Sequence, residues 1–218
     1  MNSNMLYNLH THKLSNNPDI VEVVNRYPYE VIDAPYYSTG IHPWHIDIEK
    51  IEEHLAIIED RLQDPACLAL GECGLDKRID IPLEIQVQVF EKQLLLAKKY
   101  KKPVILHLVA AFQELVAIKD RLQPGVPMIV HGFSKNAQVA RQLLDNGFYL
   151  SFGKYLLRNP ELGDVFASVP QDCFFLETDT IEEGLEAVYA KAALARNMSI
   201  DELTNIVSTN FKTVFNNG

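Results

Sequence analysis

Six residues whose side chains bind divalent metals lie at or near the ends of short apolar runs. In NLHTH, His10 and His12 alternate with apolar or small residues, so a strand would place them on one face together with Asn8. The other four are Glu72 in LALGECG, His107 in PVILHL, His131 in PMIVHGF and Asp179 in CFFLETD. Imidazole and carboxylate ligands suit zinc, manganese, magnesium, iron, cobalt or nickel. The residue types therefore predict a metal site, provided that the fold brings the runs together.

Each of these residues also has a purely structural interpretation. H-x-H pairs are common on strands, His107 could be a hydrogen-bonded core residue, Glu72 could pair with a basic side chain, and Asp179 could cap a helix. Their joint occurrence favours metal binding, because clustered acids and histidines are costly to desolvate without cations or a hydrogen-bond network.

Short apolar runs alternate with amphipathic segments along the chain, which predicts strands covered on both faces and helices between them. The predicted strands are Leu6 to His12, Ile20 to Asn25, Tyr36 to His42, Cys67 to Cys73, Pro103 to Leu108, Pro127 to Gly132, Phe148 to Gly153 and Cys173 to Asp179. The predicted helices are Asp47 to Gln63, Leu83 to Tyr100, Ala111 to Leu122, Asn136 to Asn146, Pro160 to Ser168, Glu182 to Arg196, and a last one from Ser199, with Ser134 as a possible cap of the fourth.

The pattern predicts an α/β fold, a TIM-type (β/α) barrel that is distorted and compact. Only KLSNNPD separates the first two runs, which is short for a parallel crossover, so the early outer helices are expected to be missing. A seven-stranded barrel is an open alternative. The strand ends of such a barrel open onto one mouth, where the six ligands would meet.

Length and composition set the class of protein. With 218 residues, 47% of them hydrophobic and 22% charged, the chain suits one domain spanning positions 1–218. Its net charge of -9 argues against binding extended duplex DNA, although metal ions could still hold one or two phosphates. We expect a cytoplasmic protein without a membrane partner, because there is no long apolar stretch and no signal-like start. The sequence specifies no oligomeric state.

Through its motifs, the chain resembles the TatD-like metal-dependent hydrolases, the TatD deoxyribonuclease family of the amidohydrolase superfamily. The motifs that carry the resemblance are NLHTH, GIHPW with His42, LGECGLD with Glu72 and Asp76, the series Gln86, Phe90, Gln93 and Ala97, then HGFS, LETD and NFKTVF. The resemblance implies a distorted TIM barrel. It also implies two metals: His10 and His12 hold one with Asp179, and Glu72 bridges to a second held by His107 and His131.

Three departures from the family pattern bear on substrate recognition. Asn8 stands where many members have Asp, and Val109 and Ala110 follow His107 where an Arg is usual. After LETD the chain reads TIEEG instead of an Ala-Pro-Tyr stretch. The departures leave all six ligands in place.

The expected activity is hydrolysis of a phosphoester by a metal-activated water, with Glu72 and Asp179 as the catalytic carboxylates. The substrate is expected to be a small phosphoester or a nucleic-acid end, contacted by His42, Lys77 and Lys154. Trp44 and Phe133 could stack on a base or merely pack against loops. Two alternatives stay open at this point: hydrolysis of a small amide, ester or lactone, and a non-catalytic metal-binding barrel.

Overall fold

The computed structural model of the chain describes residues 5–215. Its strands are β1 (Leu6–Thr11), β2 (Ile20–Asn25), β3 (Tyr37–Thr39), β4 (Cys67–Asp76), β5 (Val104–Val109), β6 (Met128–Val130), β7 (Tyr149–Phe152) and β8 (Phe174–Leu176). Its α-helices are α1 (Ile51–Arg61), α2 (Leu83–Tyr100), α3 (Phe112–Leu122), α4 (Ala137–Asp145), α5 (Lys154–Arg158), α6 (Leu162–Ser168), α7 (Leu185–Ala195) and α8 (Ile200–Phe215). Two short 3-10 turns, Pro43–His45 and Ile48–Lys50, precede α1.

The eight strands form one sheet in which neighbours follow chain order from β1 to β8. Parallel registers pair β1 with β2, β3 with β4, β4 with β5, and β7 with β8. Between Thr11 and Tyr37, a stretch that the structure describes throughout, the chain forms turns and β2 but no helix. The early outer helices are therefore missing, as the short connections predicted.

Residue contacts group the chain into two compact units, and each is described by itself. Of the described residues, the first unit contains 5–24 and 130–215, and the second contains 25–129. In the first unit, Phe166 lies edge-to-face with both Phe152 and Phe174, with ring centroids 5.0 and 4.9 Å apart, and these three rings fill the core beneath β7 and β8. In the second unit, α2 buries Val89, Phe90 and Leu94 against the sheet. The single domain predicted from length stays a prediction.

Several element boundaries differ from the sequence predictions for local reasons. Strand β4 continues to Asp76, so Glu72 lies within a strand instead of at its end. Asn136, not Ser134, caps α4, because its side-chain oxygen accepts a hydrogen bond from the amide of Val139. The capping box at the start of α8 is present, with Ser199 and Glu202 bonded reciprocally.

The three cysteines, all among the described residues, are free thiols. Cys67 and Cys73 are fully buried thiols, and Cys173 is partly exposed. Within residues 5–215, no helix combines the length and the apolar character needed to cross a bilayer.

Candidate metal centres

The first cluster consists of His10, His12 and Asp179, which lie in the first unit. The backbone of Asp179 pairs with β1: its amide donates to the carbonyl of His10 at 2.9 Å, and its carbonyl accepts from the amide of His12 at 3.2 Å. This register sets the Asp179 side chain beside both imidazoles, with Oδ1 at 3.6 Å from His10 Nε2 and 3.5 Å from His12 Nε2. The H-x-H spacing and one strand pairing therefore produce the cluster.

His131 lies next to the first cluster, with its ring centroid 4.4 Å from that of His10. Its Nδ1 lies 3.2 Å from Glu177 Oε1, and the same oxygen accepts the amide of Gly132 at 2.9 Å. Glu177 is 1% exposed, so a buried carboxylate orients this ring. A carboxylate on one ring nitrogen is the usual arrangement behind a metal-binding histidine, because it fixes the tautomer and leaves the other nitrogen for the ion.

Asn8 has a structural partner in the same unit. Its amide nitrogen donates to Thr178 Oγ1 at 2.9 Å, and its amide oxygen accepts the backbone amide of Thr178 at 3.0 Å. A carboxylate could accept but not donate here. Asn at this position therefore holds the segment that leads to Asp179.

The second cluster consists of His42, Glu72 and His107, which lie in the second unit. Glu72 Oε1 lies 3.1 Å from His42 Nε2 and 3.2 Å from His107 Nδ1, and Glu72 is 4% exposed. Burial lowers the pKa of His42, although the nearby Glu72 carboxylate acts in the opposite direction. The neutral imidazole is therefore favoured, and because its Nδ1 accepts the backbone amide of Trp44 at 3.1 Å, Nε2 carries the proton and donates to Glu72.

Asp76 orients the other side of His107. Its Oδ2 lies 3.2 Å from His107 Nε2 and accepts the indole N–H of Trp44 at 2.7 Å, while Oδ1 accepts the amide of Arg78 at 2.8 Å. Burial raises the pKa of Asp76, but these hydrogen bonds outweigh burial and hold the pKa below its usual value. Asp76 is thus an anion that accepts from His107 Nε2 and leaves Nδ1 for an ion.

Two buried glutamines of α2 hold the backbone around the second cluster. Gln93 accepts the amide of Ile41 at 2.7 Å and donates to its carbonyl at 3.2 Å. Gln86 accepts the amide of Asp76 at 2.8 Å and donates to its carbonyl at 2.9 Å. The two residues are seven positions apart and so lie on one helix face.

Close backbone packing also fixes His107. Gly74 has φ +144°, and a Cβ added there would lie 2.0 Å from the carbonyl oxygen of His107. Only glycine fits this conformation and this approach of β4 to β5. The GECG segment is therefore tied to the position of a candidate ligand.

The donor sets of both clusters fit a divalent metal. In each one, a ligand atom from every residue lies within 4.8 Å of the others. Imidazole nitrogen and carboxylate oxygen match zinc and other first-row ions, and each cluster is accompanied by a carboxylate that orients a histidine.

The predicted substrate contacts have different surroundings. Lys77 donates to Glu114 at 2.5 Å, so it is held in an exposed ion pair in the second unit. In the first unit, Lys154 and Arg158 line a cavity of about 490 Å³ together with residues 180–183. His42 is a buried member of the second cluster, with Nε2 3.1 Å from Glu72 Oε1, and its role as a phosphate contact stays a prediction.

A larger cavity of about 890 Å³ in the first unit is lined by both His12 and Asp179. These two side chains are 28% and 25% exposed, whereas His10 is fully buried. The wall also carries Glu182, Glu183 and Glu186 against the single basic residue Lys13. The first cluster is thus reachable from solvent through an acidic opening.

Comparison with known proteins decides the family. A family model described as TatD related DNase matches residues 4–216. The chain belongs to the TatD family. Among TatD-family relatives, the uncharacterized metal-dependent hydrolase YabD of Bacillus subtilis is 32% identical over 206 residues, covering 85% of this chain and 79% of that protein. The 3'-5' ssDNA/RNA exonuclease TatD of Cronobacter turicensis is 32% identical over 148 residues, covering 65% of this chain and 56% of that protein.

The crystal structure of YjjV, a TatD homologue from Escherichia coli, matches with a TM-score of 0.82 at 23% identity and covers 100% of both chains. The fold class predicted from the sequence, a TIM-type barrel of eight strands, is confirmed. TatD membership also confirms the family expected from the motifs and the class of metal-dependent hydrolase.

Sequence reasoning missed two functions. Glu177 in LETD and Asp76 in LGECGLD were not expected to orient histidines, although both carboxylates stand in the motifs that carry the resemblance. A buried acid one or two positions from an apolar run was the available signal.

Proposed function

We propose that this TatD-family protein hydrolyses phosphoester bonds at nucleic-acid ends or in short nucleotide-like substrates, using divalent metal ions. The observation that carries the proposal is the pair of clusters built from imidazole and carboxylate groups, with Asp76 orienting His107 of the second cluster and Glu177 orienting His131 beside the first. Such backing carboxylates accompany metal ligands, whereas a structural ion pair does not need them. The name of the Cronobacter relative supports a nucleic-acid substrate.

The residues proposed to hold metal are His10, His12, Glu72, His107, His131 and Asp179, with His42 beside them in the second cluster. A bound divalent ion lowers the pKa of water toward about 7 and polarises a phosphoryl oxygen. Two ions are proposed because two clusters are present. That all six ligands surround one pair of ions stays a prediction.

Asp179 is the proposed general base. Its side chain faces the solvent-reachable cavity while His10 and His12 fix one of its oxygens. It would accept the proton of the attacking water and return it to the leaving oxygen. Glu72 is buried between the imidazoles of His42 and His107 and is proposed to hold these two rings in position. It is not proposed to transfer protons to solvent.

The charges near the site limit the length of the substrate. The acids on the cavity wall and the net charge of -9 repel a long polyanion. Lys154 and Arg158 line the neighbouring cavity together with Glu182 and Glu183, and Arg158 is paired with Glu183 at 3.4 Å, so this cavity has no excess positive charge to hold a long polyanion. A short or terminal phosphoester is therefore the proposed substrate.

The test is a grid of metals against substrates on reconstituted protein. Zinc, manganese, magnesium, cobalt and nickel are each combined with a chromogenic phosphodiester, a short single-stranded oligonucleotide, a carboxylic ester and an amide. Glu72→Gln and Asp179→Asn are expected to lower kcat for the phosphodiester about 100-fold or more. The exposed acids Glu84 and Asp145 provide the matched controls Glu84→Gln and Asp145→Asn, for which unchanged kcat is expected.

Other outcomes would replace the proposal. Turnover of the ester or amide with inert phosphodiesters would favour the amide, ester or lactone hydrolase. Bound metal without turnover of any of the four substrates would favour a metal-binding protein that is not a catalyst. Hydrolysis that survives Asp179→Asn would exclude Asp179 as the base.

A further inference from the structure

Trp44 is exposed and yet held in place. The residue is 57% exposed, and its indole N–H donates at 2.7 Å to the carboxylate of Asp76, which is 2% exposed. A surface tryptophan without such an anchor samples several rotamers, so a fixed one retains less conformational entropy to lose when a ligand binds. The anchor therefore prepares one apolar face for contact with a ligand.

The same ring borders the second cluster. Trp44 lies edge-to-face against His42 and His107, with ring centroids 5.1 and 5.6 Å away. The indole thus borders two imidazoles of the second cluster, while more than half of the residue stays open to solvent. A molecule whose reacting group lies at the second cluster would reach this face with its next chemical group.

Further aromatic rings continue from the cluster on the side of His42. Tyr27 lies 6.4 Å from His42 and 4.9 Å from His45, and it stacks on Tyr29 at 5.7 Å. Tyr29 is 59% exposed. Flat aromatic surfaces beside a phosphate-processing site suit planar groups, and base stacking on aromatic side chains is tolerant of sequence.

We propose that Trp44 is a base-stacking residue, which takes the nucleobase adjoining the phosphoester held at the second cluster. This inference rests on the proposed function, since it assigns a base to the substrate of that site. In a nucleotide, one sugar lies between the base and the phosphate. The Trp44 indole is placed correspondingly, since it lies beside the residues of the second cluster and is not itself a ligand. An isolated alkyl phosphate would leave the indole face uncovered.

The test uses the fact that Trp44 is the only tryptophan in the chain, so intrinsic emission reports on this position alone. Zinc-loaded protein is titrated with 2'-deoxyadenosine 5'-monophosphate and, separately, with 2-deoxyribose 5-phosphate, which has the same phosphate and no base. We expect saturable quenching by the nucleotide and none by the sugar phosphate. Calorimetry on the same samples gives both dissociation constants without requiring turnover.

Two variants separate stacking from general stability. Trp44→Leu is expected to weaken nucleotide binding about 5- to 150-fold, the range that corresponds to loss of one stacked base. Sugar phosphate binding is expected to weaken by a smaller factor, because only the lost indole N–H to Asp76 affects it. Trp44→Phe keeps an aromatic ring, so its loss of nucleotide affinity is expected to be less than half that of Trp44→Leu on a logarithmic scale. Tyr36, which is 42% exposed and precedes the start of β3, supplies the control Tyr36→Leu, with wild-type binding expected.

The inference is overturned if the nucleotide saturates the wild-type protein without changing its emission, if it does not bind, or if Trp44→Leu binds it as tightly as wild type. These results are distinguishable from failure of the proposed function. Quenching by the nucleotide in a protein that hydrolyses no phosphodiester would refute the activity and retain the base site. Hydrolysis with no quenching would do the reverse.

Discussion

Replacing Asp76 by asparagine tests whether a buried carboxylate prepares His107 for metal. In the native site, Oδ2 of Asp76 serves both His107 and Trp44, and Oδ1 serves the amide of Arg78. An asparagine amide has one acceptor oxygen, so either orientation faces an N–H donor with its own NH₂ group. The variant also removes the negative charge that supports His107. Loss of such a partner typically costs 10- to 100-fold in metal affinity, or about 1.4–2.7 kcal/mol.

The assay for Asp76→Asn is competition for zinc with a chromogenic chelator, which reads metal affinity directly. We expect one of the measured affinities, that of the second cluster, to fall by that factor and hydrolytic activity to return at raised metal concentration. Asp80, an exposed aspartate four residues further on, supplies the isosteric control Asp80→Asn. Thermal melting with bound metal removed checks that the variant folds. If the folded variant binds zinc within twofold of wild type, Asp76 does not orient a ligand and the reasoning fails.

Three further variants or reagents test other parts of the structure. Gly74→Ala should lower the free energy of unfolding in urea by about 2 kcal/mol or more, because the added Cβ would meet the carbonyl of His107. The control Gly125→Ala, with no atom nearer than 4.0 Å, should lower it by about 1 kcal/mol. Equal costs would refute the close-contact argument. Arg196→Leu should lower the free energy of unfolding by about 2 kcal/mol and leave kcat unchanged. The reason is that the Arg196 guanidinium donates to two backbone carbonyls at 2.8 and 2.6 Å and covers two phenylalanine rings. A change in unfolding free energy near zero would contradict this. Burial raises the pKa of Cys173 to about 11, so only about 0.1% of this thiol is ionised near pH 8. A chromogenic disulfide should therefore react slowly with Cys173, and it should react with the two buried cysteines only after urea is added. A fast reaction of the native protein would be inconsistent with that burial.

Much of the fold could be predicted because the strands are recognisable as short apolar runs. The run from Phe148 to Gly153 contains the observed β7, and the missing early helices follow from connections too short to hold them. Helix α5 was not predicted, since five residues give no measurable period. Strand β4 was cut short because glycines and Glu72 interrupt its apolar pattern before Asp76.

The site divides in a similar way. Ligand types can be read from single positions, and the H-x-H spacing alone predicts that His10 and His12 share one face of a strand. Which carboxylate serves which histidine cannot be read in this way, because Asp76 meets His107 and Glu177 meets His131 only through strand pairing. His54 shows the same limit: the sequence alone does not show its burial, yet it is 6% exposed, with its ring 6.0 Å from that of Tyr29.

The paired amides of Gln86 and Gln93 have a consequence for how this enzyme can diverge. Each one binds the peptide unit of its target residue and no side chain, so the connections after β3 and β4 are anchored whatever side chains they bear. Replacement of Lys77 therefore leaves the anchorage intact, whereas Trp44 also donates to Asp76, the carboxylate that orients His107. New substrate preferences can evolve on these two loops by single substitutions that spare the indole N–H.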